Sequence, residues 1–430
     1  MKTIWNEEIP KRPALKGTKT CDVLIVGGGL TGILCAYFLS QAGFDCVVLE
    51  ADRIGRGVSA ATSAKITALQ DMVYTDIASL HGTEQAALYY KLCSDAIHRY
   101  EKLSQTIDFD FEKRSAALFS RGDTAQLTSE WAMLRRLGAP VERITPSLPF
   151  KISGAFALPD QACMNPLKLI KALSRPLSVF EQSAVRTITG HTANTDGGSV
   201  RAHKIVLATH YPIGRSLRYA AKLYQHRSYI VALENVDPVP QMLLEAGGGI
   251  SLRSVGNVLL LGGCGHRTGK GCGLSRLKKE ALRLYPQAHI RLAWGAQDCM
   301  SLDGMPYVGR YGMSEDCFAV TGYSKWGMTG AMMAAAALPD VLADRRTAAV
   351  QLFDPERKMC KKQLMKNLAE ATGGLLTPRT PRCTHLGCAL HYNSEEHSWD
   401  CACHGSRFDR AGRVLNTPAN RSAQVPPEKR

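Results

Sequence analysis

Hydrophobic and polar positions along the chain alternate between short apolar runs and glycine-rich breaks. Val23–Val26 is an apolar run that enters the turn "GGGLTG". The segment after it, "ILCAYFLSQAG", is apolar at helical spacing and closes at Gly43, and "DCVVLE" is a second apolar run ending in Glu50. This order predicts strand, turn, helix, strand. Residues 76–105 carry a helical pattern, with Leu80, Ala87, Leu88, Leu92, Ile97 and Leu103 as its apolar face. Residues 106–160 mix short strands and helices. "KIVLATH" (204–210) is another buried strand. "RSYIVALENV", "GISLRS" and "NVLLLGG" are rich in β-branched and apolar residues and predict strands of an antiparallel sheet. His266 and Arg267 follow in the glycine-rich stretch "GGCGHRTG", read as a loop. Finally "CFAVTG" predicts a strand that delivers the turn "GYSKWGMTG" to a helix.

The first unit carries its own chemistry. Gly27, Gly29 and Gly32 satisfy G-x-G-x-x-G, and Glu50 stands about twenty residues further on. Gly27 permits a tight turn, Gly29 offers no side chain to a pyrophosphate, and Gly32 lets the helix approach the strand. The helix start, Gly28 to Gly32 with Leu30 and Thr31, presents free N–H groups to phosphate. Glu50 can accept hydrogen bonds from ribose hydroxyls. These parts together predict dinucleotide binding.

Composition adds little to this. A net charge of +15 comes from basic residues spread along the chain with acids interleaved, which reads as a solvated basic surface and predicts no nucleic-acid partner. No apolar run reaches the roughly eighteen residues of a membrane span, and the first residues carry charges of both signs with no apolar core. A cytoplasmic protein is therefore expected. Of fourteen cysteines, ten are scattered without framework spacing. The other four lie in "CTHLGC" (383–388) and "CACHGSRF" (401–408) with two histidines. Cys383-x-His385 and Cys401-x-x-His404 could bind zinc with four ligands, which leaves Cys388 and Cys403 unexplained.

Two resemblances account for these motifs. The stretch "ADRIGRGVSAATSAKIT" resembles the second flavin-contacting segment of FAD-dependent oxidoreductases of the D-amino-acid oxidase and glycine oxidase group, and "GYSKWGMTG" resembles their last flavin segment. The resemblance implies FAD, held by the first glycine turn and Glu50, by Ser59, Thr62 and Ser63, by the backbone at Val185, and by Gly322, Gly327, Met328 and Thr329. The two cysteine–histidine clusters resemble those of a Rieske [2Fe–2S] domain. That resemblance implies Cys383 and Cys401 on one iron, His385 and His404 on the other, and a disulfide between Cys388 and Cys403. It also implies a cluster hydrogen bond from Ser406. Phe408 stands where quinol-oxidising members carry a tyrosine, and Ala402 replaces a usual proline. The strands that precede the first cluster loop in a complete Rieske domain are not visible.

The expected fold is thus an α/β, Rossmann-like FAD domain with an antiparallel-sheet substrate domain, and a small, shortened all-β Rieske region. Residues 1–365 are read as the flavoprotein, 366–380 as linker and 381–430 as the cluster region. Nucleotide-binding segments fall at about 20–75, 180–215 and 295–345; substrate-domain segments fall at about 106–180 and 222–294. The expected activity is oxidation of a small amine, amino acid or hydroxyacid, with electrons exchanged through the cluster and a partner protein. The alternatives are an oxygen-using oxidase with a structural Rieske module, or a redox sensor. Catalytic candidates are Lys325, Arg253 and His266, with Tyr229 as a further substrate contact.

Overall fold

A computed structural model describes residues 2–214, 216–312, 314–359, 361–377 and 381–426. The predicted first unit is present as strand Gly17–Val26, helix Leu30–Gln41 and strand Cys46–Leu49. Both strands are buried where they pair in parallel, Val23 beside Cys46 through Val26 beside Leu49. On its other side Gly17–Val26 pairs in parallel with Gly198–Leu207, which holds "KIVL", and that strand pairs with Cys317–Thr321. These strands centre an eight-stranded sheet.

Helix Gly327–Leu342 leaves the end of Cys317–Thr321 and packs on Leu30–Gln41. Twelve of the 16 residues of Gly327–Leu342 are buried, so its apolar run is that of an interior helix rather than an amphipathic surface one. Among the described residues no helix is long and apolar enough to cross a membrane.

The second sheet also has eight strands. Strand Leu223–Glu234 pairs antiparallel with both Val258–Arg267 and His289–Ser301. The sheet is antiparallel except where Met242–Glu245 runs parallel to Ala116–Ser120. Two expectations change. His266 and Arg267 lie in strand Val258–Arg267, not in a loop, because pairing resumes with Arg227 and His226 after a register shift past Gly263. The segment 76–105 is two helices, Val73–His81 and Thr83–Ser104, broken at Gly82 with φ +96. The buried stripe of Thr83–Ser104 runs through Ala86, Tyr89, Cys93, Ala96, Ile97 and Tyr100, so of the expected face only Ile97 is fully buried. Tyrosines enter the core there because their hydroxyls find acceptors: Tyr89 donates to Gln70 Oε1 at 2.9 Å and Tyr100 to the Met328 carbonyl at 2.8 Å.

Residues Lys361–Leu376 form a helix that takes up most of the segment read as linker. After it comes an antiparallel sheet of Leu390–Asn393, Ser398–Cys401, Arg407–Phe408 and Val414–Asn416. Among the described residues between Phe353 and Cys383 there is no strand.

Candidate functional site

The first glycine turn is shaped by close packing. Gly27 has φ +112, and a Cβ there would meet the Ala208 carbonyl oxygen at 2.5 Å. A Cβ on Gly32 would overlap the Gly27 carbonyl oxygen. Gly29 is different: its nearest neighbour in that direction is Ser59 Oγ at 3.3 Å, and it lines a cavity of about 1460 Å³. Ser59 accepts from the Leu30 N–H at 2.9 Å, and Thr31 donates to Tyr323 Oη at 3.1 Å. Glu50 accepts from the Gly28 and Asp52 N–H groups at 2.7 and 2.8 Å, so its carboxylate is fixed at the cavity wall. Burial raises its pKa and the backbone donors oppose that rise.

Of the residues expected to contact FAD, the cavity wall includes Thr62, Ser63, Val185, Gly327 and Met328 but not Gly28, Gly32, Gly322 or Thr329. Gly28 and Gly32 shape the turn from behind. Thr329 exchanges two 3.0 Å hydrogen bonds with the Thr67 backbone and braces a neighbouring loop instead. His210 also lines the cavity, with a buried Nε2 that has no hydrogen-bond partner, and burial holds its pKa down to about 4. An open cradle at Gly29, a helix start and an unpartnered imidazole nitrogen fit a dinucleotide cofactor.

The cavity wall also includes Lys325, Tyr229, Lys65, Asp71 and Asp298. Arg253 and His266 are not on the wall. Arg253 is buried, donates to the Ser63 carbonyl and lies 5.6 Å from the Trp5 ring centroid. His266 is bonded to Tyr229 Oη at 3.0 Å and to the Arg267 carbonyl at 2.9 Å. Lys65, not singled out from the sequence, lines the cavity where Arg253 does not. Its ammonium donates to the Leu243 carbonyl at 3.0 Å, and burial, with Arg253 nearby, holds its pKa down to about 7. Such a lysine can accept a proton at neutral pH. Burial raises the pKa of both Asp71 and Asp298, with Lys325 opposing the rise in each. The sequence signal for Lys65 was a lysine inside a loop of small residues, "SAATSAKIT".

The cysteine–histidine clusters converge. The His385 and His404 rings lie 5.1 Å apart, nearly perpendicular at 87°. His404 Nδ1 is buried with no hydrogen-bond partner. The sulfurs of Cys388, Cys401 and Cys403 lie within 4.8 Å of one another, all buried. The hydrogen bond that Cys383 donates to Cys401, and then burial, raises the Cys383 pKa; the same bond is the main cause lowering that of Cys401. The Ser406 hydroxyl acts on Cys383 in the opposite sense. Cys388 and Cys403 are not joined by a disulfide here, although their sulfurs are neighbours. Thiols that share protons and an imidazole nitrogen with no partner are a donor set suited to an iron–sulfur cluster. Phe408 is wholly buried beneath them.

The imidazoles face the flavoprotein sheet. The Tyr211 ring centroid is 6.3 Å from that of His385 and 6.3 Å from that of His404. Tyr211 follows directly on Thr209 and His210 of the cavity wall. The loop after Val414–Asn416 reaches the same wall: Thr417 donates to the Thr209 carbonyl at 3.1 Å, and Asn420 lines the cavity.

Residues 22–340 match the model of the FAD dependent oxidoreductase family, and residues 336–427 match that of the Rieske [2Fe-2S] domain. A Bacillus subtilis (strain 168) chain described as a Rieske 2Fe-2S iron-sulfur protein, YhfW, is 30% identical over 97% of this chain and 96% of its own. Glycine oxidase of Geobacillus kaustophilus (strain HTA426) is 23% identical over 77% of this chain and 95% of its own. The crystal structure of glycine oxidase from Geobacillus kaustophilus superposes with a TM-score of 0.68 at 19% identity, over 80% of this chain and all of that one. The chain belongs to the FAD dependent oxidoreductases, and within the same polypeptide it carries a Rieske [2Fe-2S] domain.

Proposed function

We propose that this oxidoreductase takes two electrons from a small amine, amino acid or hydroxyacid and passes them singly between its flavin and its cluster. The observation that carries this reading is Tyr211, which touches both imidazoles while its neighbours Thr209 and His210 line the cavity. FAD, when bound, supplies two-electron acceptance, and a [2Fe–2S] centre supplies one-electron exchange. The protein's residues do the rest. The turn 27–31 and Glu50 hold the dinucleotide. Lys65 receives the substrate proton, and Lys325 with the start of helix Gly327–Leu342 places positive charge at the cavity. Cys383, His385, Cys401 and His404 would hold the cluster, and the neighbouring sulfurs of Cys388 and Cys403 are placed to close a disulfide that would staple the loops on oxidation.

Anaerobic mixing with candidate substrates tests this. Expected is bleaching of flavin absorbance together with the electron paramagnetic resonance of a reduced cluster. A Tyr211→Leu chain should retain both cofactors and show the second signal later. Flavin reduction with a cluster that never takes an electron would support the oxygen-using oxidase with a structural Rieske module instead.

A further inference from the structure

The cluster module has no strands of its own ahead of its first loop among the described residues, yet its second loop is held from below. The holding groups belong to the flavoprotein's second sheet. Gln225 Nε2 donates to the His404 carbonyl at 2.8 Å and to the Thr417 carbonyl at 2.7 Å. Gln297 Nε2 donates to the Gly405 carbonyl at 2.6 Å and to Gln225 Oε1 at 2.7 Å, so the two amides fix each other. Arg267 donates to the Ala402 and Cys403 carbonyls, each at 2.8 Å. Five consecutive or neighbouring carbonyls of the cluster loop and its cover loop are thus satisfied by three side chains from outside the module.

The fit is close on both sides. Gly405 has φ +82, and a Cβ there would overlap the Gln225 side chain. Gly269, on the sheet's side, would meet the Ala402 nitrogen at 2.7 Å if it carried a Cβ. Beside this seat Arg227, buried, and Glu396, partly buried, form an ion pair between strand Leu223–Glu234 and the hairpin that joins the cluster loops. Arg267 has no such partner. It lies 4.9 Å from the Tyr224 ring centroid and donates otherwise to Asn367 Oδ1 at 2.8 Å. Glu370, the acid that acts on it, is bound to Lys270 at 2.8 Å.

We propose that the Leu223–Glu234, Val258–Arg267 and His289–Ser301 face of the flavoprotein serves as the missing base of the Rieske module. In this arrangement Gln225 and Gln297 are positioning residues for the second cluster loop, and Arg267 supplies the nearby charge that favours the reduced cluster. The charge effect follows because the reduced centre is the more negative one. The proposal rests on the cluster being present.

The test uses the full chain, prepared anaerobically, with iron, sulfide and FAD counted per chain. The Gln225→Leu/Gln297→Leu chain should keep its FAD and lose more than half of its iron. Arg267→Met should lower the midpoint potential of the clusters that remain, a change that mere loosening of the fold would not produce. Arg413→Ala, at an exposed pair with Asp409, should change neither. Should the double variant also lose FAD, Glu396→Gln decides, since it weakens the seat from the module's side. Iron loss with FAD retained then supports the proposal. Full iron with an unchanged resonance and potential in the double variant and in Arg267→Met overturns it. So does full iron in Glu396→Gln where that variant decides. A native chain holding FAD but no iron would overturn the cluster assignment itself, and this proposal with it.

Discussion

Gly29 and Gly32 stand three residues apart in one turn and are required for different reasons. A Cβ on Gly32 has no space within the fold, whereas one on Gly29 meets only Ser59 Oγ and the cavity. Gly32→Ala should therefore lower stability by about 1–3 kcal/mol through overpacking, read by chemical denaturation. Gly29→Val should instead give a folded chain whose iron is retained and whose flavin absorbance is lost. Normal FAD content in that variant would place the pyrophosphate elsewhere. Glu130 gives a pH prediction. It is wholly buried, accepts from the Tyr74 and Thr75 N–H groups at 2.9 Å each, and burial lifts its pKa to about 7. A carboxyl with a folded pKa above its unfolded value binds more protons when folded. Its contribution to stability is therefore complete below about 4.5 and declines as pH rises to about 7, by on the order of 3 kcal/mol. Glu130→Gln should flatten that part of the stability profile. Single residues were legible in the sequence where their chemistry is local. The glycine turn, Glu50 and the cysteine–histidine spacings declare themselves within a few dozen residues. Lys65 did not, because its depressed pKa comes from burial against a strand 178 positions away. Arg253 misled for the same reason: its partner, the Ser63 carbonyl, lies 190 positions away and turns it from the cavity.

Strand Leu223–Glu234 shows what alternation encodes and what it leaves out. Gln225 and Arg227 project toward the cluster module, while Ser228 lines the cavity and donates to Asp298 at 2.7 Å. Period-two alternation predicts two faces, and both are there. It predicts one wet face, and here the polar face is covered by another module. Polar residues such as Gln225, Arg227 and Gln297 consequently read as surface in the sequence and are buried in the fold. The segment that follows helix Ala348–Phe353 has a comparable anchor. Arg357 binds both oxygens of Asp303, at 2.6 and 2.7 Å, and also donates to the Met305 and Pro306 carbonyls at 2.7 Å. The arginine and aspartate side chains are 6% and 0% exposed, so neither charge has water to fall back on. Burial alone would raise the Asp303 pKa, but the guanidinium more than offsets it and holds it well below the usual carboxylate range. Arg357→Ala leaves the buried carboxylate with His81 Nε2, 3.3 Å away, in place of the guanidinium, and should cost about 3 kcal/mol, measured as a shifted denaturation midpoint. Arg357→Lys should recover only part, since an ammonium cannot bridge both oxygens and both carbonyls.

The two modules were legible as modules, since each carries its own motif, but their mutual seat was not. It depends on pairs such as Arg227 with Glu396, 169 positions apart, for which no local pattern exists. That seat determines how the whole molecule must behave. In many electron-transfer systems a mobile donor meets its acceptor by diffusion, and surface charge then governs the rate. This chain has a net charge of +15, so encounter between separate copies is opposed by repulsion that salt relieves over a screening length of about 10 Å at 0.1 M. Inside one copy the imidazoles already rest against Tyr211, and the loop carrying Thr417 is bonded to Thr209. The exchange proposed between flavin and cluster would need no encounter within the chain. Its rate should be independent of protein concentration and nearly unchanged between low salt and 0.5 M salt. Exchange with an external one-electron carrier should respond strongly to salt, with a sign set by the carrier's charge. Laser-flash reduction of the flavin, followed at cluster wavelengths over a tenfold range of concentration, measures the internal step directly. A rate that grows with concentration would mean that electrons pass between copies. In that case the contact of Tyr211 with the two histidines is a packing contact, and the path leaves the molecule elsewhere.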